Sequence, residues 1–263
     1  MQGHAGTRSG AHARELGVLT ASKTVSNVAL RWISVFLPTL ERAFGASTGT
    51  LTTIMGTAEL GGLSTTGTGR WLDRGHERRV FLAGSLAVTA SSAIALGGTT
   101  WTFAVAFAIL ILGVGNLTVA GHAWIGHRVP FSARGRAIGV FEMSWALALL
   151  LGAPLLALLI RWFSWRGPFV ALALAALVAA AGVRRWVTPG VPVPAPEGRP
   201  ERLPRTAFAP MVASAATAAA GIGIFVVSGA WLDDRYGVST GGLGAVAAAS
   251  GAVELLSSSA VAT

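Results

Sequence analysis

The chain has 263 residues, 52% of them apolar and only 12% charged, about half the charge of an ordinary soluble domain, which argues against a water-soluble fold. Its net charge of +9 does not mark a nucleic-acid binder, because the basic residues fall between apolar segments and form no single patch with interleaved aromatics. With no cysteine in the chain, disulfides, thiolate metal sites and cysteine nucleophiles are excluded together.

A membrane helix needs about 20 mainly apolar residues, and the sequence offers eight such segments in order. Residues 1–15 form a cytoplasmic tail. The apolar stretch that follows, Leu16 to Leu19, gives way to Thr20, Ser22 and Lys23, too soon for the core of a cleaved signal, so the first span is a retained helix near 16–40. The second lies near 49–70. The long uncharged run 80–127 holds two spans, near 79–97 and 101–126, with a turn at Gly97, Gly98, Thr99 and Thr100. Spans five and six lie near 137–160 and 167–184.

Next comes a stretch with Pro189, Pro192, Pro194, Pro196, Pro200 and Pro204. That density forbids continuous helix and predicts a semi-rigid, exposed linker over 186–207. Two more spans follow, near 208–231 and 240–262. The expected organisation is therefore an all-α polytopic membrane protein: a six-helix bundle at 16–185, the linker, and two further helices within 208–263.

Orientation follows from the arginines. With a cytoplasmic N-terminus, Arg8, Arg14, Arg70, Arg74, Arg78, Arg79, Arg128, Arg134, Arg136, Arg184, Arg185, Arg199, Arg202 and Arg205 share the inner side. Arg42, Arg161, Arg166 and Arg235 lie outside. The inner excess is what the positive-inside rule expects for a plasma (inner) membrane protein.

Within the spans, polar residues are the candidates for function. Lys23, Asn27 and Arg31 follow i, i+4, i+8 spacing and so share one face of the first helix. Charges in membrane helices are costly and turn toward a bundle interior or a wet cavity. Glu59, Glu142 and Glu254 are the buried acids. Helical rise puts Arg31 and Glu59 at similar depth, which predicts a direct or one-group link between them. Glu142, near the inner end of its span, is expected to pair with the arginines of the inner mouth and to act structurally. Asn116 and His122 are further cavity candidates. His122 and His127 stand five apart, not the i, i+4 spacing of a helical metal pair, so no metal is assigned. No cofactor is implied.

The loop between the second and third spans reads Gly69-Arg70-Trp71-Leu72-Asp73-Arg74-Gly75-His76-Glu77-Arg78-Arg79. It resembles the signature loop G-x-L-A-D-R-x-G-R-K/R of the major facilitator superfamily of transporters. Gly69, Asp73, Arg74, Arg78 and Arg79 match that pattern; Trp71 and Leu72 depart from it, and the second glycine comes one residue early. Pro130-Phe131-Ser132-Ala133-Arg134-Gly135-Arg136 is similar to the family's P-x-x-x-R-G segment.

The resemblance implies secondary active transport of a small molecule by alternating access. It favours export of amphiphilic compounds and admits a coupling proton, although Gly152-Ala153-Pro154 departs from the Gly-Pro ending of the antiporter pattern and Ile109 stands where proton-coupled exporters have arginine. It also implies that Asp73 latches the outward-facing state, that Arg74, Arg78, Arg79, Arg134, Arg136 and Glu142 form a cytoplasmic gate with it, and that Gly152 and Pro154 bend a helix. Substrate identity is not fixed by these residues.

An intramembrane enzyme would need motifs such as His-Glu-x-x-His or Gly-x-Ser-x-Gly, and neither occurs. The alternative is a transport-incompetent fragment or membrane interaction protein. Twelve helices are usual in the family against eight here, so the polypeptide alone is expected not to transport.

Overall fold

A computed structural model describes residues 3–192 and 204–261 of the chain. Among the described residues the structure is helical throughout. The segment 193–203, half of the expected linker, lies outside them.

The first span is α1, Gly3–Val35, continued after a break at Phe36 by α2, Leu37–Phe44. Pro38 falls in the first turn of α2, where its missing N–H costs nothing. The second span is α3, Thr48–Glu59, then a tight 3-10 segment Leu60–Ser64 and α4, Thr65–Asp73. Gly61 and Gly62 sit in that interruption, where their weak helix propensity favours a change of winding.

The third and fourth spans are α5, Glu77–Ala95, and α6, Thr100–Arg128. A reciprocal Thr99–Thr102 capping box starts α6, and Gly98 makes the preceding turn with φ of +68°, a conformation that suits glycine. The two helices approach very closely: a Cβ on Gly84 would lie 2.7 Å from the Gly113 carbonyl oxygen and 2.8 Å from the Leu117 Cβ. Small residues that let backbones meet are how helices associate where lipid removes the hydrophobic drive.

The fifth span is α7, Phe131–Leu147, a π turn over Ala148–Gly152, and α8, Ala153–Phe163. Pro154 cannot donate back along the helix, and the wider π turn just before it is the local adjustment such a proline invites. Gly152 is needed there, since a Cβ would come 2.6 Å from a Val28 methyl. The sixth span is α9, Arg166–Trp186. Beyond the undescribed segment, a 3-10 turn at Arg205–Ala207 leads into α10, Phe208–Tyr236, and then α11, Thr240–Val261.

Among the described residues four stretches are both long and apolar enough to cross a membrane: Thr100–Arg128, Phe131–Phe163, Arg166–Trp186 and Arg205–Tyr236. Eight spans were expected. For three of the other four the sequence gives a physical cause: α1 carries Glu15, Lys23 and Arg31, the second span is divided by its 3-10 segment, and α5 opens on Glu77, Arg78 and Arg79.

The first six spans share a continuous apolar core through Trp32, Phe36, Phe44, Phe103, Phe107 and Phe169. Aromatic edges pack Trp32 on Phe169 at 4.9 Å between ring centres and Phe44 on Trp165 at 5.3 Å. The last two helices sit differently. In α11, Leu243, Ala247 and Gly251 are buried, and a Cβ on Gly251 would lie 2.8 Å from the Ala146 carbonyl oxygen, so α11 lies flat against the fifth span. In α10 none of the most apolar stretch is buried; the helix meets α1 through Gly229, whose absent Cβ would collide with the carbonyl oxygens of Ser34 and Val35.

Candidate substrate cavity

The polar face of α1 turns inward as its spacing requires: Lys23, Asn27 and Arg31 are all buried. Each reaches α7 one turn above the last. The Lys23 ammonium donates to Glu142 Oε1 at 2.6 Å, Asn27 Nδ2 to the Ser144 hydroxyl at 3.1 Å, and Arg31 Nη1 to the Trp145 carbonyl at 2.8 Å. These three rungs cross-link the first and fifth spans within the six-helix bundle.

Two of the sequence-derived pairings differ from this. Glu142 does not meet the arginines of the mouth; it accepts from Lys23 and, at 2.9 Å, from His122 Nε2, because its helix face turns toward α1 and α6. His122 also stands edge-on to Phe141, and the Lys23 ammonium lies 4.2 Å from the centre of the same ring.

Arg31 does not bind Glu59 either. Its guanidinium is held by both oxygens of Glu254, Nη2 to Oε1 at 2.6 Å and Nη1 to Oε2 at 2.7 Å. The Trp145 and Phe225 rings cover it at 4.4 and 4.8 Å. Equal depth in the membrane did place Arg31 and Glu59 on one pocket, together with Ser34, Met55, Phe107 and Phe225. The choice of partner was made by α11, which brings a bidentate carboxylate across 223 positions of sequence into the fork geometry an arginine prefers. Glu59, expected to be a buried acid, is instead exposed at the end of α3 and has no hydrogen bond or ion pair among the described residues.

Asn116 belongs to a different place. It accepts from Thr68 and donates to the Leu112 carbonyl at 2.8 Å, lining a groove with Gly67, Trp71, Gly84 and Gly113 rather than the Arg31 pocket.

At the end of the bundle where α4 meets α5, Asp73 and Arg74 are exposed, and Asp73 has no partner among the described residues. Arg78 donates to the Arg184 carbonyl at 2.9 Å, tying α5 to α9. Arg134 caps α6 by donating to the Gly126 and Val129 carbonyls at 2.7 and 3.0 Å, favourable for a cation at a helix C-terminus. Arg79 and Arg136 are exposed, and nothing lies within 4 Å of a Cβ built on Gly69.

Sequence reasoning overlooked Glu77. It is almost fully buried, and its Oε1 accepts from His127 Nδ1 at 2.6 Å. The charged triplet Glu77-Arg78-Arg79 looks uniformly exposed; only the helical turn that separates their faces distinguishes Glu77. Glu15 was missed likewise and accepts from the Thr188 hydroxyl at 3.0 Å.

A bundle of apolar helices with paired charges on an internal face, and a cavity at the join with a second set of helices, defines a multi-pass membrane protein built like a transporter. The chain belongs to the Major Facilitator Superfamily, whose family profile matches residues 20–262. Among curated proteins it is 33% identical over 75 residues to the uncharacterized MFS-type transporter YwfA of Bacillus subtilis (strain 168), a match covering 28% of this chain and 18% of that one.

Among solved structures it overlays a bacterial homolog of the human lysosomal transporter Spinster, inward-facing and unoccupied, with a TM-score of 0.71 and 16% identity, covering 90% of this chain and 60% of the other. The inward-facing, occupied form gives 0.69 and 18%, with coverage of 89% and 57%. A POT family transporter in complex with a thioalcohol-conjugated peptide gives 0.57 and 14%, with coverage of 82% and 47%. The chain thus spans about 60% of the transporter chain it overlays first.

Proposed function

We propose that the chain contributes to secondary active transport of a small molecule, with the six-helix bundle and the α10–α11 segment moving against each other around the Arg31 pocket. The observation that carries this is the Arg31–Glu254 pair. It is a bidentate contact to a buried guanidinium, and it joins the two parts of the chain on either side of the proline-rich linker. A contact of that kind has two discrete states, closed and broken, which is what alternating access requires of a gate.

The rest of the reading follows the sequence. The arginine distribution supports a cytoplasmic N-terminus and a plasma (inner) membrane location. Asp73, exposed and unpartnered among the described residues, is available to latch another conformation, with Arg74, Arg78, Arg79, Arg134 and Arg136 around the same mouth. The Lys23–Glu142–His122 cluster is a place where a coupling proton can reside, and export of amphiphilic compounds is the direction favoured. The competing reading is a membrane interaction protein without transport.

Reconstitution distinguishes them. Liposomes containing the chain are assayed for saturable movement of amphiphilic dyes under an imposed proton gradient. Flux abolished by Arg31→Ala supports transport. No flux from either protein, together with specific self-association, supports the competing reading.

A further inference from the structure

We propose that the residues just after α9, Val187 to Val191, form a clasp that ties the start of the proline-rich linker to the α4–α5 loop, so that the loop beside Asp73 and Arg74 rearranges only when the linker lifts; the clasp's use as a control on the gate, and that alone, rests on the transporter reading.

The sequence sets the clasp up locally. Pro189 has no N–H with which to continue α9, and it holds Thr188 before it in extended geometry. The helix accordingly ends at Trp186, with Val187 already extended at φ −90° and ψ 124°. The chain leaves the helix there but not the bundle. Val187 is 2% exposed and shares an apolar cluster with Leu19, Leu72 and Trp124. The Thr188 hydroxyl and amide both donate to Glu15 Oε1 of α1, at 3.0 and 3.4 Å. From α6, Arg128 Nη2 donates to the Thr188 and Pro189 carbonyls at 3.2 and 2.9 Å.

Two glycines make the contact with the loop, backbone against backbone. A Cβ on Gly75 would lie 2.7 Å from the Val191 carbonyl carbon and 2.8 Å from that of Gly190, and a Cβ on Gly190 would collide with the Gly75 carbonyl oxygen and with Glu77 Oε2. Gly75 is the glycine that stands one residue early in the signature loop, and that place is the one the linker requires. Asp73 and Arg74 precede it directly, so displacing their loop takes Gly75 off Gly190.

Three buried atoms of the clasp, Glu15 Oε2, Glu77 Oε2 and Arg128 Nη1, have no hydrogen-bond partner among the described residues. Unmet polar groups weaken a buried contact, and water reaches them once the segment lifts. The contact is thus suited to opening, unlike the fully apolar seams between the helices.

Hydrogen exchange of the whole chain in detergent tests the coupling. Thr188 reports on the linker side; Gly75 and His76, whose amides donate to the Leu72 and Trp71 carbonyls at 2.8 and 3.1 Å, report on the loop side. Gly190→Ala is the main variant, because Gly190 is not among the positive-φ glycines and only the collision is left to act. It should quicken exchange at all three amides at least about fivefold, as losing a contact worth about one hydrogen bond does, with α6 unchanged. Thr188→Val removes the hydroxyl with little change of shape; it should act the same way to a smaller degree, and it keeps the test open if Gly190→Ala does not fold. Gly139→Ala, where nothing lies within 4 Å of the added Cβ, should change none of the three.

Faster exchange at Thr188 with Gly75 and His76 unchanged, or no change at any of the three in Gly190→Ala, would overturn the clasp. Coupled exchange in a chain that carries no flux in liposomes would sustain the clasp and sink the transport reading. Flux together with uncoupled exchange would do the reverse.

Discussion

The two cations of α1 stand two helical turns apart and face the same way, yet they hold different things together. Lys23 is satisfied entirely within the six-helix bundle, by Glu142 of α7. Arg31 is satisfied across the linker, by Glu254 of α11. Both are buried cations on one face of one helix, so the contrast teaches that the role of a buried charge comes from where its partner is anchored. A pair inside one bundle stiffens it; a pair between two bundles sets how easily they part.

The sharpest way to break this contrast is to remove Arg31. Arg31→Ala leaves Glu254 facing the cavity alone, and losing one member of a buried pair costs about 3–5 kcal/mol, less here because the Glu254 side chain is 34% exposed. The loss should fall on α10 and α11: hydrogen exchange there should quicken while α5 and α6 stay protected. Equal acceleration in all helices would contradict the assignment. Replacing both partners, as in R31M with E254M, should restore most of the protection, since apolar replacement of a whole pair is often neutral.

Gly251→Leu tests the same join without touching charge. The new side chain meets the Leu150 amide and Ala146 carbonyl, so α11 has to lift off α7, at a cost of about 1–3 kcal/mol. The chain lacks cysteine, so a pair introduced at Ala157 and Gly244, where a Cβ on Gly244 would lie 3.0 Å from that of Ala157, is expected to form a disulfide in the parent after a shift of about 0.5–1 Å to normal disulfide spacing. In Gly251→Leu that cross-link should form several-fold more slowly. An unchanged rate would show that α11 does not lie as described.

Lys23→Met should act on the other body. Glu142 keeps His122 and is 42% exposed, so the expected loss is smaller, about 1–2 kcal/mol, and appears as a lower melting temperature of the whole bundle in detergent. A selective loosening of α10 would place Lys23 on the wrong side of the comparison. Asp73→Asn should be the mildest, within about 0.5 kcal/mol, because the carboxylate is exposed and touches no described partner. A larger drop in melting temperature would reveal a structural contact and weaken its proposed use as a latch.

How much of this was legible in the sequence differs between the two sites. The i, i+4, i+8 spacing of Lys23, Asn27 and Arg31 places them on one face from helical geometry alone, and the structure buries all three. Choosing partners needs more than depth. Glu59 and Glu254 were both acids within membrane spans, and only the lateral placement of α11 against α7, made through Leu243, Ala247 and Gly251, decides for Glu254. Glu142 shows the same limit on a smaller scale: its depth suggested the arginines of the mouth, whereas its azimuth on α7 points at Lys23 and His122. Asn116 faces the groove near Trp71 for a similar reason. Helix breaks are intermediate. Pro154 announced one, but the five-residue π turn at Ala148–Gly152 depends on how close Val28 comes to Gly152.

The way α10 touches its neighbours gives it mechanical leverage. Its contacts gather toward one end, at Gly229 against the Ser34 and Val35 carbonyls and at Phe225 over Arg31, while Phe208 to Gly221 stand exposed. That free arm is about 20 Å long at 1.5 Å per residue, so a rotation of about 10° at the contact swings its far end by about 3.5 Å. With glycine at the bearing point no side chain stands between the two backbones there, and Phe225, Val226 and Leu232 are the side chains that follow the turn. On the proposed transport reading, a small shift at Arg31 would be delivered, enlarged, to the opposite end of the helix.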